Sequence, residues 1–260
     1  MRKVVLRCIT GGYEGLRPVA KKPGWEYICV TDTPGLTSDT WKIVQITDKK
    51  GLDPVRLARR VKILFWEYTG KCDICVWVDG NIDITGDLDE LCNMVGAWDH
   101  DIVVKRHPQR NCVFQEYIAC KDLKKDNPEM MKKQIKEYQK VGMPGHFGLI
   151  ESGYIIRRPT EATKIFMVRW FMEVQRKSRR DQLSFDFVRW YTKATGAVHF
   201  EAPEIYSKFF NKIGVHAERG AVAVDLNFIL SCSLVECENH KKAKDAIGMI
   251  ARTRLAKSWG

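Results

Sequence analysis

The segment Val76-Trp77-Val78-Asp79-Gly80-Asn81-Ile82-Asp83 passes from apolar to acidic and amide side chains within a few residues. Alternate side chains of an extended chain share a face, so Asp79, Asn81 and Asp83 are expected on one side of a strand end. Oxygen ligands of this kind suit a hard divalent cation, Mg²⁺ or Mn²⁺, whose other positions go to water and substrate phosphates. Such a cation would stabilise the charge on a departing diphosphate. Asn81 is a neutral ligand and holds a metal less strongly than a second carboxylate would. His216, in Gly214-Val215-His216-Ala217, is the candidate to complete the shell; the plainer reading is a structural histidine. The plainer reading of the whole segment is an Asp-Gly-Asn turn that closes a strand.

Farther along, Arg179 and Arg180 precede Asp181 and Gln182. Guanidinium forks match phosphate oxygens, which makes both arginines candidates to clamp a diphosphate; a solvated face is the alternative. Ser178 reads equally as a helix cap, with Asp181 favourably placed in the first turn. Cys72 and Cys75 form a CxxC, but Cys232 and Cys237 have the wrong spacing for a zinc ribbon. The nine cysteines lie mostly in apolar runs and read as reduced, buried thiols.

The elements that must position these residues alternate. Val4 to Ile9 reads as a buried strand, followed by a Thr10-Gly11-Gly12-Tyr13 loop, and Glu26 to Thr31 as a second strand ending at Asp32. Asp53 to Tyr68 has helical apolar spacing, and Asp73 to Ile84 carries the short apolar run of a third strand. Strands with little polar alternation, separated by helices, predict a mostly parallel sheet covered on both faces. Such sheets bind ligands beyond the carboxyl ends of their strands, where Asp32 and Asp79 fall. Lys121 to Lys140 reads as a charged helix, Leu149 to Ile156 as an apolar stretch, and Met167 to Glu173 and Phe185 to Tyr191 as helices.

Several of these stretches, in this order, resemble a GT-A-like glycosyltransferase family long catalogued as a domain of unknown function. It includes plant mucilage-related and turgor-regulation-defect proteins. The matching pieces are VWVDGNI at Val76–Ile82, the His107, Arg110 and Glu116 segment, QIKEYQKVG at Gln134–Gly142 and GYIIR at Gly153–Arg157. The most distinctive block is Trp170-Phe171-Met172-Glu173-Val174 followed by Ser178-Arg179-Arg180-Asp181-Gln182-Leu183-Ser184-Phe185. The resemblance covers about residues 62–190 and implies a single-domain, Rossmann-like α/β fold. It also implies transfer of a hexosyl or pentosyl group from a nucleotide sugar, expected to be a UDP-sugar, with Mn²⁺ or Mg²⁺.

On that reading Asp79 binds metal and donor ribose, and Asn81 or Asp83 completes the shell. Asp181 and Gln182 resemble the Asp-Gln pair that lies beneath the donor sugar in several retaining enzymes, where an oxygen stabilises charge at the anomeric carbon. The expected donor contacts are Thr10 in the first loop, Tyr13 stacking on the base, Asp32 accepting from base or ribose, and Lys62 neutralising a phosphate. Glu151 is the candidate to contact acceptor hydroxyls or to act as general base of an inverting reaction.

The chain has 260 residues, 45% of them hydrophobic, enough for one sizeable core. Its formal net charge of +11 attracts polyanions. Residues 1–239 are expected to form the catalytic domain and 240–260 a basic amphipathic helix, with Lys and Arg on one side of an apolar stripe. The acceptor is therefore a glycan or lipid-linked hydroxyl or a modified base in DNA, with DNA or an anionic membrane surface as polyanionic partner. No run approaches the length of a membrane span, and Val4 to Ile9 is too short for a signal-peptide core, so the expected compartment is the cytoplasm. Two alternatives stand beside this reading. One is a nucleic-acid-binding protein with an inactive version of the fold, and the other is a sugar nucleotidyltransferase using Thr10 to Arg17 as a loose phosphate loop.

Overall fold

The computed structural model describes residues 1–194, 198–201 and 203–213. Its strands are β1 (Lys3–Ile9), β2 (Trp25–Thr31), β3 (Lys42–Gln45), β4 (Ile74–Val78), β5 (Ile82–Ile84), β6 (Ile102–Arg106), β7 (Ile150–Arg157), β8 (Val198–Glu201) and β9 (Phe210–Lys212). The helices are α1 (Pro54–Ile63), α2 (Trp66–Thr69), α3 (Leu88–Met94), α4 (Val113–Asp122), α5 (Pro128–Lys140), α6 (Glu161–Arg176), α7 (Gln182–Tyr191) and α8 (Pro203–Ser207). Seven strands form one sheet in the order β3-β2-β1-β4-β7-β6-β8; β5 and β9 make a separate antiparallel ribbon. Only β7 runs against its neighbours. The mixed, mostly parallel α/β sheet expected from the sequence is therefore present.

Burial on both faces explains the apolar strands. All five side chains of β4 are buried, and β1 and β2 are nearly as enclosed. One face packs against Val61, Tyr138, Trp170 and Phe185 from α1, α5, α6 and α7. The other packs against Leu88 and Leu91 of α3 and an aromatic group that includes Trp41, Tyr154 and Phe210. Because β7 reverses direction, β6 again runs parallel to β4. The residues that follow β1, β2, β4 and β6, namely Thr10, Asp32, Asp79 and His107, thus share one edge, where open α/β sheets bind ligands.

Two long elements expected from the sequence are broken. The helix over Asp53 to Tyr68 divides at Leu64, whose φ of −92° and ψ of 49° leave the helical region. Asp53 caps its first half by accepting from the N–H groups of Val55 and Arg56, with Pro54 pre-set for the first turn. The charged helix over Lys121 to Lys140 likewise begins afresh at Pro128, capped by Asn127. Part of the family-like pattern is structural. Gln134 donates to the Tyr138 hydroxyl (2.7 Å), Tyr138 donates to Glu173 (2.6 Å), and Gln134 accepts from the N–H of Ser178 (3.2 Å). Three separated sequence blocks are pinned together by that chain of bonds.

Among the described residues the cysteines are free and buried. No described helix is long and apolar enough to cross a membrane. His216, the domain limit at residue 239 and the basic stretch 240–260 lie outside the described residues.

Candidate active site

The third expected strand divides at its chemistry. β4 stops at Val78, Asp79 donates its N–H to Gly153 O (2.8 Å), and Ile82 N–H returns to Asp79 O (3.1 Å), closing a turn. β5 then leaves the main sheet to pair with β9. Asp79, Asn81 and Asp83 are therefore not one face of one strand, a correction that follows from the turn. A Cβ at Gly80 would meet the Glu14 carboxylate, so a larger residue there would need that side chain to move.

Asp79 Oδ1 accepts from Trp77 Nε1 (2.6 Å) and lies 3.5 Å from Lys62 Nζ. Its Oδ2 accepts no hydrogen bond from the described residues, and the side chain is 32% exposed. Asp83 is gripped by Arg17 through Nε (3.0 Å) and Nη2 (3.1 Å), and the backbone carbonyl of Asn81 accepts from Ile213 N–H (2.9 Å). Among the described residues no three His, Cys, Asp or Glu side chains converge as a metal cluster. Mg²⁺ commonly needs only one or two protein carboxylates beside substrate phosphates and water, a demand that Asp79 Oδ2 fits and the Arg17-bound Asp83 does not.

Behind Asp79 lies a buried ionic group. Lys62 is 0% exposed, and its Nζ sits 2.7 Å from Asp181 Oδ2 as an ion pair rather than along a good hydrogen-bond direction. Asp181, 1% exposed, also meets Arg59 Nε at 3.3 Å and accepts from Ser152 Oγ at 3.0 Å. Burial pushes the Asp181 carboxyl up, but Arg59, Lys62 and Arg180 outweigh it and hold the group well below the usual carboxylate range. Burial also presses Lys62 toward losing its proton, against the pull of Asp181 and Asp79. Three cations around one carboxylate decide for the charged pair. Lys62 is thus enclosed between two aspartates, which corrects its expected place against a donor phosphate. Nor does Ser178 cap α7: Asp181 takes the cap position without a side-chain cap bond, and Ser178 Oγ donates to Asp126 (2.6 Å).

Gln182 is half-buried, and both ends of its amide are used. Arg180 Nη2 donates to Oε1 (3.2 Å), and Nε2 donates to Ile150 O (3.0 Å). Arg179 pairs with Asp126 (3.3 Å), so the two arginines do not form one clamp. At the end of β6, His107 Nδ1 accepts from the N–H groups of Gln109 and Arg110 (3.1 Å each), and Arg110 pairs with buried Glu116. Burial, with Arg110 beside it, lowers the His107 imidazole to about 4. Glu151 lies between Lys105 and Lys212. A general base works best with a pKa near the operating pH, whereas these lysines overcome burial and hold Glu151 below its ordinary value.

At the opposite end of the same edge, Asp32 accepts from Gly11 N–H (2.8 Å) and pairs with Lys49 (2.9 Å). Thr10 Oγ1 donates to Pro54 O (2.7 Å), so its hydroxyl serves the loop, while Tyr13 is 54% exposed. The structure therefore brings Thr10, Tyr13, Asp32, Asp79, Glu151 and the Lys62–Asp181 pair to one edge of the sheet, and engages Arg179 with Asp126. Sequence reasoning missed Trp77, Arg59, Ser152, Arg17, Lys105 and Lys212. Of these Arg59 carried a local signal, three residues before Lys62 on the same helix face, and so did Trp77, two residues before Asp79 on one face of the strand.

Residues 30–213 match the family described as TOD1/MUCI70, glycosyltransferase-like domain. A curated relative from Arabidopsis thaliana, described as probable hexosyltransferase MUCI70, is 24% identical over 159 residues, which are 57% of this chain and 27% of the relative. The chain spans about a quarter of that relative's length. Among solved structures, mouse xyloside xylosyltransferase 1 in its apo form is similar with a TM-score of 0.45 and 10% identity, over 76% of this chain and 84% of that one.

Proposed function

Because the chain belongs to the TOD1/MUCI70 glycosyltransferase-like family, we propose that it is a glycosyltransferase moving a hexosyl or pentosyl group from a nucleotide sugar, a UDP-sugar, to an acceptor hydroxyl. The observation that carries this reading is the turn after β4. It leaves one oxygen of the partly exposed Asp79 without a hydrogen bond from the described residues while Trp77 and Lys62 hold the other. A carboxylate fixed by a neutral donor and a buried cation is oriented before substrate arrives, so little reorganisation is left for the reaction.

Each residue then has a task. Asp181, anchored by Arg59 and Ser152, holds Lys62; Lys62 and Trp77 hold Asp79; and Asp79 Oδ2 faces the donor ribose and phosphates. A divalent cation bound through Asp79 would supply stabilisation of the charge on the leaving diphosphate. Asp181 is enclosed, so Gln182 is the member of the Asp-Gln pair with surface left for the sugar. Tyr13, exposed at the β1 end, stacks on the nucleoside; Asp32, whose side chain is 3% exposed and held by Gly11 and Lys49, shapes that loop rather than meeting the base or ribose as the sequence led one to expect. The acceptor enters from the β6 and β7 side.

The test is incubation with a panel of nucleotide sugars and Mn²⁺, scoring nucleotide release with neutral glycans, acidic glycans or DNA as acceptors. Release from one nucleotide sugar, stimulated by one acceptor class, is the expected outcome. Binding of DNA without release from any donor would favour the non-catalytic reading instead.

A further inference from the structure

Glu151 of β7 stands directly across from Lys105 of β6, just where the pairing register shifts between Val104 and Lys105. A bulge of this kind re-aims a side chain. Lys105 Nζ donates to Glu151 Oε2 (2.7 Å), and Lys212 Nζ to Oε1 (3.1 Å). The side-chain exposures are 12% for Lys105, 18% for Glu151 and 55% for Lys212. Lys105 also lies over the Tyr154 ring, 5.3 Å from its centroid, a contact that adds no full charge. Two ammonium groups thus share one carboxylate. The triad itself holds two cations and one carboxylate; Glu201 of β8 stands in register beside Lys105, so Lys212, on the exposed side, is the cation for which Glu151 is the described partner.

The triad borders the Asp79 turn. Gly153, two residues along β7 from Glu151, accepts the Asp79 N–H. Lys212 is in register with Ile82, and the next residue, Ile213, donates to Asn81 O. β7 and β6 lie beyond β4 on the side away from β1 and β2.

The geometry points to an oxyanion site in which Lys105 and Lys212 bind an anionic oxygen of the substrate, with Glu151 as its internal stand-in. A purely structural pair would match one cation to one carboxylate. Here the second cation is exposed and weakly held, so an incoming anion takes Lys212 without drawing it out of the interior. Glu151 keeps the two lysines positioned until that exchange. This deepens the glycosyl-transfer reading and rests on it for the ligand's identity. Two sources have the required chemistry: the diphosphate of a nucleotide donor and a carboxylate on an acidic acceptor sugar.

The test is titration calorimetry of the full chain at low ionic strength with pyrophosphate, UDP, D-glucuronate and neutral D-glucose. Lys212→Gln is expected to weaken anion binding about fivefold, and Glu151→Gln to strengthen it about tenfold, because the internal competitor is gone. The opposite signs separate this role from a structural one, in which both variants bind more weakly. Stronger binding of pyrophosphate and UDP by Glu151→Gln assigns the site to the donor; stronger binding of glucuronate assigns it to the acceptor. Equal or weaker binding of every anion by a folded Glu151→Gln overturns the proposal. If that variant does not fold, Lys212→Gln decides, and unchanged affinity for every anion overturns it. Absence of nucleotide-sugar turnover together with the expected anion affinities would retire the glycosyltransferase reading and leave the oxyanion site standing.

Discussion

Replacing Asp181 by Asn removes one charge from a group that water does not reach. Lys62, fully buried, would lose its partner at 2.7 Å and keep only Asp79 at 3.5 Å, while Arg59 would lose its contact at 3.3 Å. Removing one member of a buried ion pair costs about 3–5 kcal/mol, because the other charge stays uncompensated. At roughly 2–4 °C per kcal/mol for a domain of this size, the melting temperature should fall by about 6–20 °C. The pH dependence has a definite sign. Asp181 is held below its unfolded value, so its contribution is present above about pH 4 and is lost as pH falls through the folded value. Asp181→Asn should therefore also flatten the acid limb of the stability profile. Thermal and urea unfolding, with Lys62→Met and the double variant completing a cycle, measure both effects. The double variant should be less destabilised than the sum of the singles by about 1–3 kcal/mol. A melting temperature within about 2 °C of wild type, or additive losses, would refute the buried anchor and leave Asp181 with a purely chemical role.

Asp79→Ala should abolish binding of the active nucleotide sugar in calorimetry, and EDTA should weaken binding by the wild type; EDTA-insensitive affinity would remove the metal from the account. Trp77→Phe deletes the 2.6 Å bond to Asp79 and should cost about 1.5–3 kcal/mol in urea unfolding while raising donor KM more than it lowers kcat. His107 should titrate near pH 4 by NMR, and stability should decline as pH drops from about 6.5 toward 4, where only the unfolded chain takes up the proton. An imidazole midpoint near 6.5 would contradict that environment.

The sheet was legible because its strands are short, apolar and enclosed, a local property. The ends of those strands were legible too, which is why Asp32 and Asp79 fall, as expected, just beyond the carboxyl ends of β2 and β4. What the sequence hid was partnership across distance. Nothing near Asp83 announces Arg17, sixty-six positions earlier. Nothing near Lys62 announces Asp181, so an enclosed linker read as a phosphate ligand. The strand through Val78 looked continuous because Ile82 and Ile84 prolong the apolar pattern; only the return of Ile82 N–H to Asp79 O and the pairing of β5 with β9 show where it ends. Glu151 read as a lone acid for the same reason, since its lysines come from β6 and from the far end of the described chain.

The ribbon of β5 and β9 has a consequence for the order of assembly. Ile82 and Lys212 are about 130 residues apart in sequence, yet they pair beside the turn that carries Asp79. Contacts between such distant segments form late, because the intervening loop must close before they are rewarded. During synthesis β1, β2 and β4 can associate while the turn still has one bare side, and its second strand arrives only after residue 212 has left the ribosome. The Ile82 side of that turn, with the Lys212 arm of the triad, is thus among the last parts of the described chain to be finished.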